Sequence, residues 1–170
     1  MSTWLRRAGR GFLPDGRTLV WSVAEGRRGQ RWRSSTLSPH GHLDLALLIE
    51  VATDGRFSRL ELTNSKGILT LHPEPHGARL EGNVVAERGV TAISMPWSPE
   101  HVLWVRDSPV AEILTGRVVA ADGRMRSGVV IDSALEVVPA TRAMEEGSVP
   151  PADDRGVPEL GASDEWDLEP

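Results

Sequence analysis

Short apolar runs separated by turn residues fill the chain from Thr18 to Val138, the pattern of an antiparallel β protein. The clearest run is Leu43 to Val51, where Leu43, Leu45, Leu47, Ile49 and Val51 alternate with Asp44, Ala46, Leu48 and Glu50. A period of two puts the first set on one apolar face and the second on a mixed face. Thr53-Asp54-Gly55 then predicts an Asp-Gly hairpin turn with positive φ at both central residues. The return strand, Arg56 to Thr63, should carry Phe57, Arg59 and Glu61 on one face and Ser58, Leu60 and Leu62 on the other.

Further strands are expected over Thr18 to Ala24, Gln30 to Thr36, Ile68 to His72, Ala78 to Val85, Val90 to Met95, His101 to Arg106, Ala111 to Val119 and Gly128 to Val138. Only Ser108 to Thr115 is compatible with a short helix. The expectation is an all-β, mainly antiparallel protein: a β-roll or half-barrel of about ten strands with a disordered acidic C-terminal tail. Its organisation is a basic N-terminal segment, 1–17, the β-roll domain, 18–142, and the tail, 143–170.

Charge sharpens that last boundary. The chain of 170 residues has a net charge of -5, but Met144 to Pro170 holds nine acids and one arginine, so the remainder carries +3. A proline-rich segment at -8 has too little apolar surface to offset its chain entropy. The tail's alternation Asp164-Glu165-Trp166-Asp167-Leu168-Glu169 is of a kind that docks a protein partner. Met1 to Phe12 contains Arg6, Arg7 and Arg10 and no apolar run of the secretory type, and no stretch approaches the length of a membrane span. A cytoplasmic protein is expected.

Composition removes several chemistries. Without cysteine there is no disulfide, thiol nucleophile or thiolate zinc site, and the five histidines show no metal-binding spacing. No cofactor and no metal are expected. The arginine excess, 18 against one lysine, reads as coding bias, and the arginines of Met1 to Arg33 lack the interleaved aromatics of a nucleic-acid surface. Ser98, His101 and Asp107 have no nucleophile elbow around them. Gly26-Arg27-Arg28-Gly29 lacks a P-loop lysine and reads as a turn. Glu50 and Glu61 are the nearest approach to a paired-carboxylate site, with Arg59 in reach, but a cross-strand ion pair on a solvated face explains them better. Arg31-Trp32-Arg33 alternates Trp32 to one face and both arginines to the other, and Trp97 and Trp104 read as core residues.

The run Leu47 to Leu62, with Asp54, Phe57, Ser58 and Arg59 in order, resembles the signature of a family of bacterial glycolipid-binding proteins. Gly67-Ile68-Leu69-Thr70-Leu71, Gly77, Gly82, Trp21 and the closing Ser133 to Pro139 keep that family's order over about residues 18–142. Thr91 to Glu100 departs from it, lacking the family's acidic pair and Asn. The resemblance implies a roll wrapped around a groove. The function expected is therefore non-catalytic: an amphipathic ligand, a glycolipid for example, held on the concave face with Leu43 to Val51 in its floor. Trp32, Phe57 and Trp97 would give apolar or stacking surface, and Glu50, Arg59 and Glu61 would orient polar groups at the rim. The alternative is a protein-interaction module acting through the acidic tail.

Overall fold

A computed structural model describes residues 6–106, 108, 110, 111 and 125–143. They form eleven strands: β1 (Arg6–Phe12), β2 (Thr18–Gly26), β3 (Gly29–Leu37), β4 (Leu43–Val51), β5 (Phe57–Asn64), β6 (Gly67–Pro73), β7 (Arg79–Ala86), β8 (Gly89–Pro96), β9 (Val102–Val105), β10 (Met125–Ile131) and β11 (Val137–Ala143). The all-β expectation holds. β1 to β8 make one antiparallel meander in sequence order, with β1 and β8 as its edges, and the sheet does not close into a barrel. A second sheet has the order β11-β10-β9, with β10 antiparallel to β11 and parallel to β9.

The meander's inner face is a leucine layer. Leu60, Leu62, Leu69, Leu71 and Leu80 are fully buried, and Val105, Val129, Ile131 and Leu135 of the small sheet and its turn pack into the same core. β9 is buried along its whole length because both of its faces are covered, as parallel strands require. Leu103 and Val105 join the main core, while Val102 and Trp104 form a satellite cluster with Val130 and Ala140. Asn64 Nδ2 donates to the Ser133 carbonyl at 2.9 Å and ties the β5–β6 hairpin to the β10–β11 turn.

Two bulges change the faces predicted from alternation. Thr36 pairs with Leu45 but Leu37 pairs with Leu43, so Asp44 is the extra residue and Leu43 turns to the outer face. Glu50 pairs with Arg59 but Val51 pairs with Phe57, so Ser58 is the extra residue and Phe57 turns inward, away from Arg59 and Glu61. A bulge re-aims a side chain in this way because one additional residue inverts the pleat.

The turn at Asp54 also differs from the expected type. Ala52 N–H donates to the Arg56 carbonyl at 2.8 Å, Gly55 N–H donates to Ala52 at 2.9 Å, and only Gly55 has positive φ, 81°. The loops Leu13–Arg17, Ser38–His42 and Asp132–Glu136 repeat this pair of backbone bonds. In the last of these Leu135 takes the left-handed position at φ 66°. That loop divides the single strand expected over 128–138 into β10 and β11.

β1 lies in the segment set apart as a basic arm, yet it pairs with β2 from Arg6↔Ala24 to Phe12↔Thr18. Of the short helix expected at 108–115, the described part is consistent with a helix start. Val110 and Ala111 are helical, and Ser108 Oγ accepts from Ala111 N–H at 3.3 Å in the manner of an N-cap. The strand expected at 111–119 and the acidic tail with Trp166 otherwise lie outside the described residues.

Candidate functional site

In a meander, alternate hairpins open at the same end. The loops after β2, β4 and β6 and the segment Trp97–His101 therefore share one end of the large sheet, and a cleft of ≈ 670 Å³ opens there. Its floor is apolar: Ile49 and Val51 from the end of β4, Phe57 from the bulged start of β5, Leu103 from β9, and Ala111. Its rim is polar: Glu25 and Gln30 from the β2–β3 hairpin, Asp54 and Arg56 from the β4–β5 turn, Glu100 and His101 from the approach to β9.

Aromatic packing holds this wall. Trp97, nearly buried, meets Phe57 edge-on with ring centroids 5.8 Å apart and His101 with centroids 5.3 Å apart and planes at 89°. Ser98 N–H donates to His101 Nδ1 at 3.2 Å, so the neutral ring carries its proton on Nε2. Asp54 Oδ1 accepts from Arg56 N–H at 3.0 Å, and its other oxygen lies 3.6 Å from Arg56 Nε, so both rim groups are positioned by the turn itself. Trp32 Nε1 donates to Gln30 Oε1 at 3.2 Å, which fixes the amide at the opposite rim.

The six residues expected to bind ligand divide between two faces. Trp32, Phe57 and Trp97 lie inward, and of these Phe57 lines the cleft while Trp97 and Trp32 support it from behind. Glu50, Arg59 and Glu61 lie on the outer face. There Arg31 Nε donates to Glu50 at 2.7 Å, Glu50 stands directly opposite Arg59, and Arg59 pairs with Glu61. Arg31–Glu50 is a cross-strand ion pair and Arg59–Glu61 runs along β5, and none of the three lines the cleft. The centre of the inner face, expected to be an open concavity, is packed leucine, and only the Ile49–Val51 end of β4 contributes floor.

Gln30, Arg56, His101 and Leu103 escaped prediction as site residues. The usable signal was topological: numbering the hairpins would have placed the loops at 27–28, 52–56 and 97–101 together. Ser98 and His101 do meet, through the Ser98 backbone; Asp107 lies outside the described residues. Among the described residues no group of three His, Asp or Glu could hold a metal ion, and no helix is long and apolar enough to cross a membrane. No family model, curated protein or solved structure matches the chain.

Proposed function

We propose that the chain is a non-catalytic binding protein that takes an amphipathic ligand into the end cleft, with its apolar part on Ile49, Val51, Phe57 and Leu103 and its polar head among Gln30, Asp54, Arg56 and His101. The cleft's division into apolar floor and hydrogen-bonding rim carries this reading, and its volume falls within the ~300–1,000 Å³ usual for small-molecule sites. A glycolipid suits the division, because a sugar head meets donors in Gln30, Arg56 and His101 and an acceptor in Asp54. The two carboxylates once candidates for acid chemistry, Glu50 and Glu61, are each engaged by an arginine outside the cleft.

Native mass spectrometry of the chain purified from its own host should show a retained small-molecule mass. Dodecyl maltoside kept below its micelle concentration is a suitable probe in thermal melts. At ten times its Kd one bound molecule adds about 1.4 kcal/mol, a rise in Tm of roughly 4 °C. Phe57→Ala should weaken binding about tenfold and cost about 2 kcal/mol of stability, since the ring is only partly buried. A bare mass together with melts indifferent to the probe overturns the proposal.

A further inference from the structure

The described residues include seven large hydrophobic side chains with high exposure, and six of them lie on the outer face of the eight-stranded sheet. Strand register explains their grouping. Arg10↔Val20, Val20↔Ser35, Ser35↔Ala46, Ala46↔Thr63, Thr63↔Ile68, Ile68↔Val85 and Val85↔Val90 form one unbroken row across all eight strands. Directly paired residues share a face. Val20 is 43% exposed, Ile68 46%, Val85 44% and Val90 69%, and the members between them are Ser, Ala and Thr. From Val20 to Val90 the row contains no charge. Beside it runs the shorter row Phe12, Thr18, Leu37 and Leu43, in which Phe12 is 65% exposed and Leu43 49%, the latter turned outward by the Asp44 bulge. Both rows lie toward the sheet end opposite the cleft.

We propose that this band is a homodimer interface, with a second copy of the chain packing its outer sheet face against the first. Area favours that occupant. Seven strand spacings give a length of about 34 Å. With the next row toward the cleft, Ala8 to Ala92, three rows cover about 600 Å² per copy in projection and ~1,200 Å² for the pair, the lower bound of specific interfaces. Charge also favours it. The third row carries Arg33 and Glu61, and the row beyond carries Arg31, Glu50 and Arg59. Glu50 and Glu61 are paired with Arg31 and Arg59, so the flank of the band carries both signs side by side, and a two-fold copy presents both signs to both signs. Two twisted sheets packing face to face at about 30° is an established way to cover such a band.

Sedimentation velocity on the full chain from 1 to 100 μM tests the proposal. A concentration-dependent dimer is expected, with Ile68→Glu and, separately, Val90→Glu each raising the dimer Kd at least tenfold while circular dichroism stays that of the parent. Both positions are on the solvated face and far from the cleft, so probe binding should not change. A parent chain that is monomeric throughout overturns the dimer. A monomer that floats with vesicles of 70% phosphatidylcholine and 30% phosphatidylglycerol, and ceases to float as Ile68→Glu, also overturns it and assigns the band to a bilayer. A dimer unaffected by either substitution overturns the assignment of the interface to this face.

Discussion

Asp15 and Asp54 occupy the same place in two loops of one design, Asp-Gly-Arg, and each receives the backbone N–H of the arginine two residues on at 3.0 Å. At Asp15 that backbone bond, joined by Arg17 Nε at 2.7 Å, holds the carboxyl below its ordinary value of 3.8. The folded state therefore favours the carboxylate. Whatever stability this supplies is present above pH 3.8 and disappears as pH falls through the lower folded value. An NMR titration should place the Asp15 midpoint under 3.8, and Asp15→Asn should remove that part of the acid dependence. A midpoint at or above 3.8 contradicts the assignment. The side chain is exposed, so the effect on overall stability is small.

Among the elements, the bounds of β4 were legible to the residue because apolar residues alternate from Leu43 to Val51, and β2 to β8 were located because each is a short apolar run between turn residues. β1 was missed. Its inner positions are Arg7, Gly9 and Gly11 rather than apolar residues, and Trp21 from β2 lies over Gly9 so closely that a Cβ there would meet the indole at 2.9 Å. The inward apolar residue of β1 is thus supplied by its neighbour. The faces of Leu43 and Phe57 were misassigned because a bulge leaves no mark in the period of the strand it interrupts. Two glycines on the cleft offer a test of how its loops are held. Gly29 has φ 112° and a Cβ there would run into the Val51 carbonyl, whereas Gly55 has φ 81° and open space around it. Gly29→Ala should cost about 3 kcal/mol or more and impair probe binding, while Gly55→Ala should cost about 1 kcal/mol, the price of a left-handed alanine alone. Urea melts that rank the two equally would show that the close approach at Gly29 is not what holds the loops.

For the molecule as a whole, the sequence carries the large sheet openly and the cleft hardly at all. Neighbouring strands of the meander follow each other along the chain, so each leaves a local trace. The cleft depends on Pro99–Leu103 being brought against the β4–β5 turn, and that placement comes from the small sheet. Burial is deepest in β5, β6 and β7, whose inward leucines are inaccessible to solvent. Hydrogen exchange should accordingly find the slowest amides at Leu60, Leu62, Leu69 and Leu71, with faster exchange in β1 and β8 at the sheet edges. Edge strands exchanging as slowly as β5 and β6 in a monomeric sample would contradict this distribution.

The parallel pairing of β9 with β10 has a consequence for the order of assembly on the ribosome. Val102 pairs with Gly128, 26 residues later, whereas β2 to β8 each find a partner in the strand just made. A nascent chain can complete the meander while Leu103 and Val105 still await the strand beside them. The wall of the cleft that β9 supplies is therefore secured last, and a chain released before Ile131 would possess the large sheet but lack the strand that pairs with β9.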